Sequence, residues 1–196
     1  MEYIELVKKR RSVRAYEPTA VEDSILEEII EAGLWAPSGT NLQPWFFVVV
    51  RSPKKMRLLR EIMSRVSEDA LIKLTKRFPD KPELVAGTTS FVACLGNAPA
   101  AILAFRDKDD YRGIVNDSSV IQSVAAAMEN IQLAIYDHGL CSCWMTAPNQ
   151  AGMDAEMRDT FAPGHGELVC MTPVGYPKEG EEIKTPKRRD GKFVFV

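Results

Sequence analysis

The sequence predicts an α+β fold, with a small central sheet flanked by helices, from two observations. Apolar runs of strand length alternate along the chain with segments in which apolar side chains recur at helical spacing. The glycine-rich turns of dinucleotide-binding and phosphate-loop folds, Gly-x-Gly-x-x-Gly and Gly-x-x-x-x-Gly-Lys, do not occur. At 196 residues, the chain fits one domain, residues 1–196, with a sizeable core.

The pattern of apolar side chains gives the order of the elements. Helical spacing predicts five helices, over residues 2–10, 20–36, 53–66, 118–138 and 153–161. Apolar runs predict four strands, over residues 45–50, 100–105, 141–145 and 168–174. The first run is continuous rather than alternating, so we expect a strand that is buried on both faces.

Polar residues predict where three of these helices begin. Thr19 and Glu22 have the spacing of a capping box, which starts the second helix. Ser52 is the predicted N-cap of the third helix because a proline follows it. Asp117 or Ser118 is expected to cap the long fourth helix.

Two segments lie outside this pattern. Residues 67–97 mix charges with proline and glycine, which is compatible with a helix and a mobile covering loop. The tail, residues 177–196, is polar and ends in the apolar run Phe193–Val196. Exposed apolar side chains at a terminus are unusual in a monomer, so we expect this run to pack on a second subunit.

Charge limits the class of ligand. A formal net charge of −2 and a pI near 5.8 argue against nucleic acid as a partner. The basic residues cluster in residues 8–14 and 184–192, which suits a small anionic ligand, although solvated basic patches are the alternative. No apolar stretch has the length of a membrane span, and Glu2, Glu5 and Lys8 interrupt any signal-peptide core. We therefore expect a cytoplasmic protein that does not bind a membrane.

The four cysteines predict neither a disulfide framework nor a metal site. They are Cys94, Cys141, Cys143 and Cys170, too few and too irregularly spaced for a framework. Cys141 and Cys143 lack the two-residue gap of a zinc knuckle, and on a strand they would share one face. We interpret them as small core residues.

The first candidate binding segment is the arginine segment, residues 10–14. It places Arg10, Arg11 and Arg14 beside the hydroxyl of Ser12. Guanidinium groups bind phosphate oxygens through paired hydrogen bonds and stay charged at any working pH. The segment therefore predicts a phosphate site, with a solvated basic face as the alternative.

The second candidate is the amide loop, residues 37–43, which joins the second helix to the first strand. It contains Pro37, Ser38, Gly39, Asn41 and Gln43. Either amide side chain can both donate and accept at the edge of a flat heterocycle. An ordinary helix-to-strand turn is the alternative interpretation.

These segments, in this order, resemble the nitroreductase family of flavin mononucleotide (FMN) enzymes. The resemblance continues through Gly139-Leu140-Cys141-Ser142-Cys143-Trp144-Met145, through Gly175-Tyr176-Pro177 and through Lys187-Arg188-Arg189. It implies a mostly antiparallel sheet, a domain-exchanged homodimer, FMN as cofactor and NADH or NADPH as electron donor.

The resemblance also assigns roles to residues. Lys187 and Arg189 are expected to bind the FMN phosphate together with the arginine segment. The amide loop is expected to reach the flavin that the neighbouring subunit binds, so that the two sites are shared. A backbone N–H near the flavin N5 is expected from the donor loop, Thr146–Ala147, because the next residue, Pro148, has no N–H.

The implied reaction is a ping-pong hydride transfer. NAD(P)H reduces the flavin and leaves, and a flat electron-poor acceptor such as a nitroaromatic or a quinone then takes its place. Because the chemistry is the cofactor's, no catalytic side chain is named. One alternative is a flavin-binding protein with little reductase activity, either a flavin carrier or a protein that uses the flavin for dehydrogenation or oxygen chemistry. The other, in a different class, is a regulatory or nucleic-acid-binding module that uses the two basic clusters.

Overall fold

The computed structural model describes residues 2–108, 115–181 and 185–196. Within these ranges the chain forms seven α-helices: α1 (Tyr3–Lys9), α2 (Asp23–Leu34), α3 (Pro53–Arg77), α4 (Pro82–Cys94), α5 (Asp117–Asp137), α6 (Ala147–Gln150) and α7 (Asp154–Phe161). It also forms four strands: β1 (Trp45–Val50), β2 (Ala100–Arg106), β3 (Cys141–Ser142) and β4 (Leu168–Gly175). None of the helices in these ranges is long and apolar enough to cross a membrane.

The strands form one sheet in the order β1-β2-β4-β3, and each neighbouring pair is antiparallel. Residues of β2 alternate between two apolar clusters, one on each face of the sheet. Leu103 and Phe105 join the cluster with α3, α4 and α7, and Ile102 and Ala104 join the cluster with α2 and α5. The predicted α+β fold with a small antiparallel sheet is therefore confirmed.

Strand β1 differs from its prediction. Only its end residues, Trp45 and Val50, are buried, and the four between them are half-buried. The reason is that β1 lies at the edge of the sheet, where β2 is its one partner among the described strands. Burial on both faces instead describes β2, in which Ala100 to Phe105 are all at most 1% exposed.

Two predicted helix caps are wrong. Helix α2 begins at Asp23, and Glu22 stands at its N-cap without a side-chain cap. The preceding chain runs beside the end of β4, where the Glu17 N–H donates to Tyr176 O at 2.9 Å, so the helix starts after the predicted capping box. Helix α5 is capped by Asn116, whose side chain accepts from the Ser119 N–H at 2.8 Å.

Most of the segment 67–97 is helical, in contrast to the expected combination of a helix and a covering loop. Helix α3 continues eleven residues beyond the predicted end at Val66, because no proline or glycine interrupts it before Pro79. Helix α4 then returns antiparallel to it, and the Ser67 hydroxyl donates to Thr89 O at 2.9 Å. The two helices form a hairpin on one face of the sheet.

Strand β3 is shorter than the predicted strand 141–145. Its register pairs Ser142 with Val174, and the same register resumes where Met145 pairs with Met171. Between these pairs the register places Pro173 opposite Cys143. Proline has no N–H to donate, so the ladder is interrupted there.

Candidate functional site

The arginine segment is held in place by backbone hydrogen bonds to the sheet. The Val13 N–H donates to Ser142 O at 2.9 Å, and Ser12 forms a parallel bridge with Ser142. The buried hydroxyl of Ser142 donates to Gln132 Oε1 at 2.7 Å, which ties β3 to α5. The Tyr16 hydroxyl donates to Val13 O at 2.7 Å. These bonds fix the backbone, so the arginine side chains start from defined positions.

The arginine segment and the tail meet at one basic cleft of about 370 Å³. Its lining residues are Arg10, Arg11, Ser12, Arg14, Pro186 and Arg188. Four guanidinium groups thus line the cleft, and its described lining residues include no carboxylate. Such a cleft favours an anionic ligand, and its size and charge suit a phosphate ester.

The arginines of the cleft differ in what they already contact. Arg11 donates to the backbone oxygens of Lys8 and Arg10 at the end of α1, while its buried Nε has no partner among the described residues. Arg14 lies over the Phe91 ring, with 5.7 Å from Cζ to the ring centroid. Arg11 therefore stabilises the segment itself and offers one orphaned donor to a ligand.

The tail contributes a residue that sequence reasoning missed. Arg188 lines the cleft, whereas Lys187 and Arg189, the residues expected from the resemblance, are not among its lining residues. In an extended tail, neighbouring side chains point in opposite directions. The cleft is therefore lined either by Arg188 or by Lys187 and Arg189, but not by all three. The three consecutive basic residues were the available signal, and the roles of Lys187 and Arg189 stay predictions.

The amide loop has an unusual backbone. Thr40, Asn41 and Gln43 take left-handed φ angles of 50°, 57° and 50°. The Gln43 N–H donates to Ser38 Oγ at 3.0 Å, and the Gly39 N–H donates to Ser123 Oγ at 3.2 Å. A left-handed φ is uncommon outside glycine, and for a β-branched threonine it is an outlier. Nothing in the residue types predicts such strain.

The side chains of this loop face solvent. Pro37, Gly39, Asn41 and Gln43 are exposed, while Ser38 is half-buried. The Gln43 amide donates to Asn41 Oδ1 at 3.3 Å, which holds the two amides side by side. The remaining amide donors and acceptors are available to a ligand.

The structure separates the amide loop from the basic cleft within one chain. The loop leads into Trp45, which pairs with Arg106 at one end of β2. The bridge between Ser12 and Ser142 is level with Ala100 at the other end. Six residue steps of about 3.4 Å put the two segments roughly 20 Å apart along the strands.

The donor loop follows β3 along the chain and leads into α6. Thr146 is exposed, Ala147 is half-buried and begins α6, and Pro148 is buried. In the described part of the chain, no group accepts a hydrogen bond from the N–H of Thr146 or Ala147. The Gln150 amide donates to Thr146 Oγ1 at 3.2 Å, which orients the threonine side chain.

The cysteines near these segments are buried. Burial raises the pKa of Cys141 and of Cys170 to about 12 in each case. Burial also raises the pKa of Cys143, although Arg14 opposes the shift. These thiols are therefore protonated at neutral pH, as structural core residues are.

The sheet, its two helical layers and the basic cleft are together typical of one class of flavoprotein fold. A model of the nitroreductase family matches residues 7–176, and the chain belongs to this family. Nitroreductase from Bacteroides fragilis NCTC 9343, solved with bound FMN, superposes with a TM-score of 0.74 at 26% identity, over 100% of this chain and 99% of that chain.

Two curated relatives are each 30% identical to this chain. The alignment with iodotyrosine deiodinase 1 of Rattus norvegicus is 204 residues long and covers 100% of this chain and 69% of the deiodinase. A protein of Archaeoglobus fulgidus, provisionally named NADH dehydrogenase/NAD(P)H nitroreductase, matches over 187 residues, 93% of this chain and 89% of its own length. The family thus includes relatives with different named activities.

Proposed function

We propose that this protein binds FMN and uses it to carry two electrons from NADH or NADPH to a flat, electron-poor acceptor such as a nitroaromatic or a quinone. The observation that carries the proposal is the basic cleft in which the arginine segment meets the tail. Family membership and the FMN bound by the Bacteroides fragilis nitroreductase support the choice of cofactor.

The residues present fit the FMN phosphate. Arg10, Arg14 and Arg188 supply charged donors, the Ser12 hydroxyl supplies a further one, and the buried Arg11 Nε has no partner within the described ranges. An anion in the cleft satisfies that buried donor, which otherwise costs free energy. Lys187 and Arg189 flank Arg188 on the tail and are proposed as further phosphate ligands.

The residues present also fit the flavin ring. From Ser142, beside the cleft, to Thr146 the chain runs about 13 Å if extended, a span that a ribityl chain and a tricyclic ring bridge. The unbonded N–H of Thr146 or Ala147 is the proposed donor to the flavin N5. Bound FMN supplies the chemistry, which is to accept a hydride and return two electrons. The protein binds and orients it and leaves one face open, so donor and acceptor alternate there.

The amide loop is proposed to serve the flavin of a second subunit. Within one chain it lies roughly 20 Å from the cleft along the strands. Its strained backbone and exposed amides have no ligand on their own chain among the described residues. A two-fold homodimer brings the loop of one chain to the cleft of the other and makes both sites shared.

A groove beside β1 is the proposed binding site for the tail of that second subunit. Its lining residues are Asp23, Leu26, Glu27, Ile30, Glu31, Leu34, Val49 and Arg51. The groove thus has an apolar floor and three carboxylates, while Phe193 and Phe195 of the tail are 80% and 91% exposed. The adjacent Lys192 complements the carboxylates, and the free edge of β1 offers backbone partners to an extended chain.

The proposed function is tested with the purified protein. We expect a yellow protein with flavin absorbance that oxidises NADH or NADPH when a quinone or nitroaromatic is added. A yellow protein that turns over neither pair is a flavin carrier or a flavin enzyme of another kind. A colourless protein that FMN does not bind overturns the proposal and favours the module that uses its basic clusters.

The shared site is tested by deleting residues 190–196. We expect the deletion to weaken the dimer and to lower flavin occupancy together, because each site borrows groups from both chains. Light scattering and flavin absorbance are measured on the same sample. A full-length protein that is monomeric and fully loaded with FMN at assay concentrations contradicts the shared site.

Reductive dehalogenation is a second candidate. The 30% identity to rat iodotyrosine deiodinase 1 over the whole chain favours it. In this reaction two electrons and one proton replace a carbon–iodine bond by a carbon–hydrogen bond and release iodide. Iodide release from 3-iodotyrosine with dithionite as the reductant tests it, and reduction of quinones without iodide release excludes it.

A further inference from the structure

A second cleft lies beside the donor loop, between the α3–α4 hairpin and α6. It measures about 350 Å³, and its lining residues are Asp69, Ala70, Lys73, Leu74, Arg77, Thr88, Val92, Ala147 and Gln150. Ala147 is part of the donor loop, so the cleft opens next to the place proposed for the flavin N5. We name it the acceptor cleft.

The charged residues of the acceptor cleft form one stripe on α3. Asp69, Lys73 and Arg77 are spaced four residues apart, so they follow one another along the same face of the helix. Their formal charges sum to +1 at neutral pH. The sequence signal was present, but the helix was predicted to end before this stripe begins.

Lys73 connects this stripe to α6, the helix that begins in the donor loop. Its Nζ lies 2.6 Å from Asp69 Oδ2 and also donates to Gln150 O at 2.6 Å. An ammonium has three donors, so one is left for a ligand. The salt bridge compensates the charge of Lys73, and Arg77 is then the residue that makes the cleft positive.

Arg77 stands at the outer end of the acceptor cleft. It is exposed, and its Cζ lies 5.3 Å from the centroid of the Phe78 ring. The apolar lining residues are Ala70, Leu74, Val92 and Ala147, of which Val92 is only 5% exposed and Ala147 is half-buried. The cleft therefore combines an apolar lining, which includes one residue of the donor loop, with an exposed guanidinium group.

We infer that the acceptor cleft selects aromatic acceptors that carry an anionic group such as a carboxylate. This inference rests on the proposed function and adds the substrate class. The ring lies against the apolar lining residues, which include Ala147, and the carboxylate takes paired hydrogen bonds from the Arg77 guanidinium and one from Lys73. Arg77 and Lys73 are specificity-determining residues, and a cationic acceptor is disfavoured.

A purely structural explanation for Arg77 is that a cation in the last turn of α3 interacts favourably with the helix dipole. Lys76 occupies the same last turn and is exposed, but it does not line the acceptor cleft. Lys76→Gln is therefore a matched control for Arg77→Gln, because both remove one cation from the same helix end.

The test compares two acceptors of similar shape, 4-nitrobenzoate and the neutral 4-nitrobenzyl alcohol. Their dissociation constants are measured by equilibrium dialysis with the oxidised, FMN-loaded protein, which requires no turnover. We expect the wild type to prefer the carboxylate, Arg77→Gln to reduce that preference about tenfold, and Lys76→Gln to leave it intact. In steady-state assays, the change falls on KM rather than on kcat.

Two results overturn the inference. One is an equal affinity of the wild type for both compounds, and the other is an equal loss of preference in Arg77→Gln and Lys76→Gln. Failure of the proposed function gives a different result. Either FMN does not bind, or the FMN-loaded protein reduces neither compound when a reductant is supplied. If neither compound is reduced, a carboxylate preference that depends on Arg77 still supports the subsite.

Discussion

The arginine segment and the amide loop are both polar, both carry candidate ligand groups, and are held in different ways. The arginine segment is bonded to β3 and sits beside the core, with Val13 and Tyr16 each 4% exposed. The amide loop is exposed and bonded mainly to itself. The first is fixed to the sheet, whereas the second is held mostly by short-range hydrogen bonds within the loop.

The backbone angles sharpen this difference. At the end of α5 the chain uses Gly139 for a left-handed turn, with a φ of +73°, which costs little. In the amide loop it places Thr40, Asn41 and Gln43 in the same region, at about 1–3 kcal/mol each for residues other than glycine. Retaining side chains at such a cost is reasonable where the side chains or the loop shape contact a ligand, which we propose is the flavin of a second subunit.

The largest effect is expected from Gly96→Ala, which disturbs the backbone of the arginine segment. In Gly96→Ala, the new Cβ would lie 2.1 Å from Arg14 O at a φ of +60°, so the backbone of the arginine segment must move. We expect a loss of at least about 3 kcal/mol in the free energy of unfolding, measured with urea, together with weaker FMN binding.

A matched glycine provides the control for this substitution. Gly87 lies inside α4, and a Cβ there meets no atom within 4 Å. Gly87→Ala is expected to stabilise the protein by up to about 1 kcal/mol through helix propensity. Similar unfolding free energies for the two variants would show that the arginine segment does not depend on this close contact.

The next effect concerns the phosphate. Arg10→Ala combined with Arg14→Ala is expected to weaken FMN binding about tenfold or more per site, because a hydrogen bond to a charged group contributes about 1.5–3 kcal/mol. Riboflavin has no phosphate, so its affinity should hardly change. Fluorescence titration with both ligands measures the difference, and equal losses would mean that these arginines do not bind the phosphate.

The sequence predicted the sheet and its helical layers well because burial leaves a simple pattern. In β2, Ala100 to Phe105 form an apolar run, and the run is buried from end to end. The interruption of β3 could also have been found, since it follows from one proline opposite Cys143, but the register was needed first. The length of α3 was missed because its second half is mostly exposed and rich in charges, although Ala70 and Leu74 continue the helical spacing.

The candidate site was only partly predictable. Charged clusters such as the arginine segment are visible as residue types, and the structure brings Arg10, Arg11, Ser12 and Arg14 to one cleft. The choice of Arg188 depends on how the tail lies, and no residue type records that. The left-handed angles of the amide loop could not be predicted either, because threonine and glutamine rarely adopt them.

The third prediction concerns Asn41 in the amide loop. If Asn41 reaches the flavin of the other subunit, Asn41→Ala should lower flavin affinity about fivefold or shift its reduction potential, since one hydrogen bond contributes about 1 kcal/mol. The dimer should stay intact by light scattering. An unchanged spectrum, potential and affinity would leave the amide loop as a simple turn.

The smallest expected effect is also the most direct test of strain. Thr40→Gly relieves a left-handed threonine, so we expect the free energy of unfolding without flavin to rise by about 0.5–1 kcal/mol after the entropy cost of glycine is subtracted. Thr19 is exposed and is not among the residues with positive φ, so Thr19→Gly should instead destabilise the protein by about 0.5–1 kcal/mol. Urea unfolding of both variants distinguishes opposite signs even when each change is small. Two variants that are destabilised equally would show that the amide loop stores no strain, and its unusual angles would then not point to a ligand.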